Sequence, residues 1–470
     1  MAGPVMVAGS NLAAMVAAES IADAGTEVTL VNPAPHWGAH FAGIELDGRR
    51  FDPGMVLFEF SAFNNEPHPD VLGYDAEKRN DCGRFAALVA RYVGTRVLTV
   101  EVPQPAMWLG GRVLPDMVIS NRIEALALLD GPTRDRIRDE LAAICADGPG
   151  RLHASRKTLE PRFAAADLAT VSIANHGRTL HEALFEPLCR KILGVSCAEI
   201  LATFHRAAWL PLFYPETLLS QFGPAPQRLP QTRFHYPAEG TASALARVLG
   251  ATVEAHPRIR ILRTTVRKIA LPSVDMADGS GVAAANMVWT LDPGSLIAAA
   301  DPAATRADHA RASIGMCFIA LPQQQLRMAV STLFVADPEY AIYRITDQEN
   351  CAGITAAEHR LVVEFSPGAL GRRGLNDATA QQQAIVHELV ALGLIATPQS
   401  VAYCAIKILN NALMIPDTAN RDTFRQQRDW LRRHLPAVKL AGLSAGFYAG
   451  AMNDQIVQGL KLGAELGGRE

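Results

Sequence analysis

Short apolar runs alternate with an alanine-rich stretch at the start of the chain. Residues 4–8 form an apolar run that predicts a strand, and the β-branched run at 26–31 predicts a second one. Between them, the turn at 9–11 leads into residues 12–24, whose alanine-rich composition favours a helix. A strand, a tight turn, a helix and a strand in this order are typical of the start of a dinucleotide-binding fold.

The pattern changes twice along the rest of the chain. From 84 to 209, apolar residues recur at three- and four-residue spacing, which predicts helices. Residues 313–416 alternate strand-like runs with one predicted helix at 381–392. The chain ends in a short predicted strand, a glycine-rich turn and a predicted helix at 454–466. This order of elements predicts an α/β fold.

Composition narrows the class of protein. The 470 residues are 49% hydrophobic and 19% charged, with a formal net charge of −3 at pH 7, which excludes a disordered chain. Because positive and negative residues nearly balance, we expect neither a basic surface that binds nucleic acid nor a polybasic segment that binds a membrane. Because the length is about three times that of a typical domain, we expect a multi-domain globular enzyme.

The cysteines and the N-terminus bear on the cellular setting. Seven cysteines are scattered along the chain and no two form a C-x-x-C pair, so we expect reduced thiols and no metal site. The apolar N-terminus lacks a basic flank and is interrupted by Glu19 and Asp23, which argues against a signal peptide. No stretch reaches the ~18 uncharged apolar residues of a membrane helix. We therefore expect a cytoplasmic protein.

The turn after the first predicted strand is a degenerate phosphate loop. The G-x-G-x-x-G fingerprint falls on Gly9, Asn11 and Ala14, so only the first glycine is present. Asparagine tolerates left-handed dihedrals better than most residues, and a helix N-terminus can still hold a phosphate. Asn32 stands where an acidic residue normally binds the adenosine ribose. The two interpretations are a dinucleotide site and a βαβ unit that merely packs.

A second glycine-rich turn precedes the C-terminal helix. Gly446 begins this turn, and Met452, Asn453 and Gln455 lie at its junction with the helix. A second helix N-terminus beside the first is the usual way in which flavoproteins hold the isoalloxazine and the ribityl chain. The alternative is an ordinary surface turn before a terminal helix.

Two further segments are candidates for contacts at the site. Residues 36–40 follow the second predicted strand, so His36, Trp37 and His40 are candidate cofactor contacts. An ordinary surface loop is the equal alternative. The aromatic cluster that begins at Trp209 has two interpretations: it is part of the buried core, or it forms a lid over a cleft.

Several segments together resemble one family. VMVAGSNLAAMVAAESIADAGTEVTLVNPAPHWG at 5–38 resembles the N-terminus of flavoproteins of the amine-oxidase superfamily. The order of later segments is most similar to the UDP-galactopyranose mutase branch of that superfamily. These segments are MWLGGRVLPDMVI at 107–119, LFEPLCRKILGVSCAEI at 184–200, FHYPAEGTASALARVL at 234–249, YAIYRI at 340–345 and the tail at 442–460.

The resemblance implies a three-part architecture with FAD as the cofactor. A Rossmann-like FAD-binding domain would comprise residues 1–65, 240–300 and 430–470. A helical domain would span 80–215, and a mixed β-sheet substrate domain would span 301–430. Where the family has histidine, aromatic, tyrosine or arginine contacts, this chain has Val56, Leu188, Leu193, Leu413, Leu443 and Ala449. We therefore do not expect UDP-galactopyranose as the substrate.

The expected site residues fall into two groups. Arg344 is expected to anchor an anionic substrate group, with Tyr343 and Tyr448 lining the pocket. Lys191 also persists on the substrate side of the resemblance. The expected cofactor-binding residues are Gly9, Ser10, Asn11, Ala14, Asn32, Trp37, Gly38, Val266, Gly446, Met452, Asn453 and Gln455.

Three functions remain open at this point. The first is an FAD-dependent oxidoreductase that acts through flavin N5 on a small sugar-like or amine substrate. The second is a nucleotide-sugar pyranose/furanose mutase of altered specificity. The third is a non-catalytic flavoprotein-like scaffold, which Asn11, Asn32 and Val56 favour. The expected partner is a small-molecule substrate, without nucleic acid or membrane and with a homodimer as an open option.

Overall fold

The computed structural model describes residues 3–60, 71–72, 84–146, 165–229, 231–304, 308–446 and 450–467. The strands are β1 (Val5–Ala8), β2 (Val28–Val31), β3 (Ile44–Leu46), β4 (Arg49–Phe51), β5 (Phe58–Glu59), β6 (Val71–Leu72), β7 (Thr99–Glu101), β8 (Ala106–Leu109), β9 (Arg112–Pro115), β10 (Leu212–Phe213), β11 (Phe234–Pro237), β12 (Ile259–Leu262), β13 (Val266–Ala270), β14 (Ser273–Met276), β15 (Gly281–Ala283), β16 (Asn286–Trp289), β17 (Arg311–Pro322), β18 (Thr332–Val335), β19 (Ile342–Asp347), β20 (Glu358–Phe365), β21 (Tyr403–Met414) and β22 (Val438–Leu440).

The helices alternate with these strands along most of the chain. They are α1 (Leu12–Asp23), α2 (Arg84–Gly94), α3 (Gly131–Ala146), α4 (Leu168–His176), α5 (Arg178–Leu180), α6 (Glu186–Leu193), α7 (Pro215–Leu219), α8 (Ser243–Ala255), α9 (Pro293–Ala300), α10 (Gln348–Ala352), α11 (Pro367–Arg372), α12 (Ala378–Ala391), α13 (Thr418–His434) and α14 (Met452–Leu466). A π-helical segment, His181–Phe185, joins α5 to α6.

A five-stranded parallel sheet forms the base of the candidate site. Its strand order is β12-β2-β1-β16-β22, and every neighbouring pair is parallel. Side chains of β1 alternate between two buried clusters, because Val5 and Val7 face one side and Met6 and Ala8 the other. The order reverses between β1 and β16, and ligands of open α/β sheets bind at such a switch point, beyond the carboxyl ends of the strands.

The first and last helices pack closely together beside this sheet. Gly459 and Gly463 lie one turn apart on α14 and face α1. A Cβ atom on Gly459 would lie 2.6 Å from Val16 Cβ, and one on Gly463 would lie 2.2 Å from Ser20 Cβ. Only glycine allows the backbones to come this near, so the C-terminal helix runs alongside the N-terminal one.

The second large sheet has seven strands of mixed direction. Its order is β21-β17-β20-β19-β18-β8-β9, with β18 and β8 parallel and the other pairs antiparallel. The sheet receives β8 and β9 from the region after residue 84 in which the apolar spacing favours helices, and the resemblance at 107–119 implies this strand pair. Helix α12 packs on one face of the sheet, and α6 contacts β17 and β19. The mixed sheet predicted by the resemblance is confirmed.

The described part of the region between residues 121 and 222 is mainly helical, and α3 is its longest element. Residues 121–129, where the apolar spacing favours a helix, form a 3-10 turn over Ile123–Leu128. The predicted helix at 180–191 is present, but its first part is the π-helical segment His181–Phe185. Among the helices of the described residues, none combines the length and the apolar character needed to cross a membrane.

Substituting Gly459 with valine tests the contact between α1 and α14. The added side chain would collide with Val16, and overpacking of this kind costs about 1–3 kcal/mol. Urea unfolding should therefore show a lower free energy of unfolding for Gly459→Val. Gly94→Val is the matched control, because Gly94 is exposed at the end of α2 with no atom near its missing Cβ. Equal stability of the two variants would contradict the close packing.

Candidate functional site

The carboxyl ends of β1 and β16 meet at the switch point of the parallel sheet. Gly9 follows β1 with φ +130°, and Thr290 follows β16. The Thr290 hydroxyl donates to the Ala8 carbonyl at 2.9 Å and would lie 2.0 Å from a Cβ atom on Gly9. Glycine is therefore needed at position 9 for the contact with Thr290, whether or not a ligand approaches.

Asn11 begins helix α1 as its N-cap. Its Oδ1 accepts the Ala14 N–H at 3.0 Å, and its Nδ2 donates to the Thr290 carbonyl at 3.1 Å. The backbone of Asn11 is extended, with φ −77°, so its tolerance for left-handed dihedrals is not used. The side chain instead satisfies one free N–H of the helix and joins the two strand ends.

The N-terminus of α14 lies directly beside that of α1. Gln455 Oε1 accepts the Ala13 N–H at 3.3 Å, and Gln455 Nε2 donates to the Gly450 carbonyl at 2.9 Å. The two predicted cofactor segments are thus brought together. Asn453 instead contacts the backbone of Glu59 through its side-chain amide, and Met452 is buried.

Both polar atoms of the Asn32 side chain are hydrogen-bonded within its own turn. Its Oδ1 accepts the Ala34 N–H at 2.8 Å, and its Nδ2 donates to the His36 carbonyl at 3.3 Å. The side chain has no exposed surface. The predicted ribose contact would therefore require this turn to open, and it stays a prediction.

Gly38 and Trp37 face different surroundings although they are adjacent. The Gly38 N–H donates to the Ser10 carbonyl at 2.7 Å, which places this loop over the start of α1. Trp37 Nε1 donates to Glu254 at 2.8 Å, and the Arg263 guanidinium lies 4.7 Å from the centre of the Trp37 ring. Gly38 therefore joins the candidate site, whereas Trp37 packs on the outer side of α8.

His40 lies in the 3-10 turn Ala39–Ala42 that follows Gly38. Burial lowers the pKa of its imidazole to about 4, although the residue keeps contact with solvent. The imidazole is therefore uncharged at neutral pH.

Three other residues were predicted to bind the cofactor or to line the pocket. Val266 is half-buried in β13, within a three-stranded antiparallel sheet that packs on α9. Gly446 ends the 3-10 turn Gly442–Ala445 in an extended conformation. Tyr448 lies outside the described residues, so its place in the pocket stays a prediction.

Arg344 forms a buried ion pair on the mixed sheet. Its Nε and Nη2 donate to the two carboxylate oxygens of Glu364 at 2.5 and 2.6 Å, and each residue is only 2% exposed. The Met55 N–H also donates to Glu364, at 3.2 Å. The Gly54 position leaves room for this carboxylate, since a Cβ atom there would lie 2.9 Å from it.

Aromatic rings surround the guanidinium of Arg344. Its central carbon lies 4.1 Å from the centre of the Trp209 ring, and Trp209 has a left-handed φ of 55°. Tyr343 is buried, with its hydroxyl 3.5 Å from Glu364; burial, followed by the nearby Glu364 charge, raises its pKa well above the usual range. The aromatic cluster at Trp209 thus packs on the ion pair.

These contacts change what Arg344 can offer a substrate. Two of its three guanidinium nitrogens are engaged, while the buried Nη1 has no hydrogen-bond partner among the described residues. An anionic group would meet a neutralised pair and not a free cation. The predicted anchoring role stays a prediction that rests on Nη1 alone. Lys191 is likewise engaged, donating to the carbonyls of Val335, Asp337 and Ile342.

Potential metal ligands group together at two places that the sequence did not indicate. His181, Glu186 and Cys197 form one group, and the other consists of Asp347, Glu349 and His359. The second group is held by internal bonds, because His359 Nδ1 lies 2.8 Å from Asp347 and Glu349 pairs with Arg360. The expectation of no metal site is not tested by these groups and stays a prediction.

The structure is thus an α/β fold with a parallel Rossmann-like sheet, and the starts of α1 and α14 meet at the switch point of that sheet. No protein-family model matches the chain, and no curated protein matches it either. A crystal structure of reduced UDP-galactopyranose mutase aligns with a TM-score of 0.70 at 13% identity, covering 99% of this chain and 95% of that chain.

Two amine oxidases align over similar lengths. Cyclohexylamine oxidase from Brevibacterium oxydans IH-35A has a TM-score of 0.59 at 14% identity and 99% coverage of both chains. A putrescine oxidase from a redesign of cofactor binding has a TM-score of 0.61 at 11% identity, with 98% of each chain covered. These matches confirm the predicted fold class: the chain has the fold of amine-oxidase-like flavoproteins.

Replacing Glu364 with glutamine tests the buried ion pair. Loss of one partner leaves the Arg344 charge uncompensated, which typically costs about 3–5 kcal/mol of stability. The double variant Arg344→Met, Glu364→Leu should be more stable than Glu364→Gln, because it leaves no unpaired charge. Glu182→Gln is the control, since its pair with Arg178 is exposed and such pairs contribute at most about 1 kcal/mol. Chemical unfolding measures the free energy of unfolding of all three variants for this comparison.

Proposed function

We propose that this chain is an FAD-dependent oxidoreductase that acts on a small sugar-like or amine substrate. Residues at the start of α1 and the Gly38 loop would hold the diphosphate of FAD, and the turn before α14 would lie along the ribityl chain. The flavin supplies electron transfer at its N5 atom when bound. The fold of the aligned oxidases and mutase supports the proposal.

One observation carries the proposal: two helix N-termini meet at the switch point of the parallel sheet. Gln455 joins the start of α14 to that of α1, and Gly38 joins its loop to Ser10. Helix N-termini attract phosphate through their free N–H groups and dipoles. The half-buried Ser10 supplies a hydroxyl next to the start of α1.

Apolar surface near the starts of α1 and α14 also suits a planar ring system. Leu291 is 41% exposed and would lie 3.6 Å from a Cβ atom on Gly9. Leu443 is 55% exposed and would lie 2.8 Å from a Cβ atom on Gly450. Exposed leucines are more stable when an aromatic ligand covers them. This apolar surface therefore supports a ring site, whereas Asn32, closed within its own turn, does not fit the adenosine ribose.

A non-catalytic scaffold is the second candidate, and a specific observation favours it. Asn11 and Gln455 already accept the N–H groups of Ala14 and Ala13, and Asn32 is closed within its own turn. A protein that had lost its cofactor would be expected to satisfy its backbone in this way. The fate of added FAD separates the two candidates.

A matched pair of substitutions at Ser10 tests the diphosphate site. Ser10→Glu adds a negative charge at the start of α1, which helices tolerate well but a diphosphate does not. We expect the wild type to take up FAD, with visible flavin absorption, and Ser10→Glu to bind it about tenfold or more weakly. Ser10→Gln, of similar size and without charge, should bind within a few-fold of wild type.

Two outcomes would redirect the assignment. A colourless protein that takes up no FAD in calorimetry would defeat the flavoprotein proposal and favour the scaffold. If FAD binds, anaerobic bleaching by a candidate amine or alcohol identifies an oxidoreductase. Turnover only after dithionite reduction would favour the mutase, the activity named for one aligned structure.

His40 predicts a pH dependence of FAD binding. Burial lowers the pKa of this imidazole to about 4 in the free protein, and a neighbouring diphosphate would raise it. FAD affinity should therefore increase as the pH falls from about 8 to about 5, because the complex binds more protons than the free protein. His40→Gln should flatten this slope, whereas His36→Gln, in the same loop, should keep it. Titration calorimetry at several pH values between about 5 and 8 measures FAD affinity for each variant. If affinity depends on pH in His40→Gln as it does in wild type, His40 is not part of the site.

A further inference from the structure

Two cysteines on neighbouring strands place their sulfur atoms in contact. Cys317 lies on β17 and Cys404 on β21, and their Sγ atoms are 3.3 Å apart although the residues are separated by 87 positions. In the antiparallel register Cys317 pairs with Ile406, and Cys404 pairs with Ile319. The two cysteines are thus diagonal neighbours on one face of the mixed sheet.

The position of the pair makes it reachable and movable. Cys317 is fully buried, whereas Cys404 is partly exposed. Strand β21 is the edge strand of the sheet and pairs with β17 alone among the described strands. An edge strand can shift more readily than a central one, and the sulfurs need to approach by about 1.3 Å to reach bonding distance.

The two thiols differ in character. The contact with Cys317 lowers the pKa of Cys404, and the same contact, followed by burial, raises the pKa of Cys317. Because the thiolate is the reactive form, the partly exposed Cys404 is the sulfur that a small oxidant would reach first. Cys317 would then be the resolving thiol.

We propose that Cys317 and Cys404 are an oxidation site, at which hydrogen peroxide converts the two thiols into a disulfide that ties the edge strand β21 to β17. The Cys404 thiolate attacks one peroxide oxygen and the O–O bond breaks, which leaves a sulfenic acid at Cys404 and expels the other oxygen as hydroxide. The Cys317 sulfur then attacks the Cys404 sulfur and expels the second oxygen as water. Both sulfurs are oxidised, and one peroxide is reduced to two waters once the protons are counted.

A second thiol pair in the chain provides an internal control. Cys189 and Cys197 also interact through their sulfurs, but both are fully buried in the helical region. Peroxide cannot reach either sulfur without unfolding, so this pair should stay reduced under the same treatment. Comparing the two pairs shows whether oxidation requires a sulfur that solvent can reach, or only two sulfurs that lie close together.

The test treats the intact protein with hydrogen peroxide under native conditions and maps disulfides by peptide mass spectrometry. We expect a linked peptide containing Cys317 and Cys404, a mass decrease of about 2 Da for the pair and reversal by dithiothreitol. The Cys317→Ser variant should instead accumulate a sulfenic acid at Cys404 that dimedone traps. In Cys404→Ser, Cys317 should stay unmodified.

Several results would overturn the proposal. Direct conversion of Cys404 to a sulfinic acid in the wild type would show that Cys317 does not resolve it. Equal oxidation of Cys189 and Cys197 would show general unfolding, which circular dichroism of the treated protein would reveal. If the disulfide forms, the oxidised protein should melt at a higher temperature than the reduced one, and reduction should restore the lower value. None of these readouts depends on flavin binding.

Discussion

The close approach of α1 and α14 is the constraint on which the candidate site depends. Gly459 and Gly463 let the C-terminal helix lie against the N-terminal one with almost no space between their backbones. Because this contact fixes the start of both helices at the same end, Gln455 can reach Ala13. The site at the switch point is therefore a product of helix packing, and a ligand there would bridge two elements that are already joined.

Polar groups at this junction compete with any ligand. Neutral amide oxygens of Asn11 and Gln455 accept the helix N–H groups that a phosphate would otherwise accept. Hydrogen bonds to a charged acceptor are roughly twice as strong as those to a neutral one, so a diphosphate can displace these amides. The arrangement is thus compatible with two states, one closed by side chains and one in which a bound anion takes their place.

The sequence predicted the elements that depend on local pattern and missed those that depend on distant contacts. The βαβ unit and the helix before the C-terminus follow from apolar spacing and glycine positions, and both are present. The engagement of Asn32 with its own turn was not predicted, although an Asx turn is a local signal in the Asn-Pro-Ala order. The pairing of Arg344 with Glu364 joins adjacent strands across twenty residues, and no periodicity in the sequence reveals it. Matching one residue to a family's motif predicts which side chain is present, but it does not predict which residue that side chain contacts.

The Arg344–Glu364 pair constrains the chemistry of any substrate that reaches the mixed sheet. A buried ion pair is stable only while both charges remain matched, because each ion alone would lose its solvation. An anionic substrate at Arg344 would have to separate it from Glu364 and leave that carboxylate buried against Gly54 and Met55. A neutral oxygen acceptor needs only the free Nη1 hydrogens and leaves the pair intact. The charges of the pair therefore stay matched beside an uncharged group and become unmatched beside an anionic one.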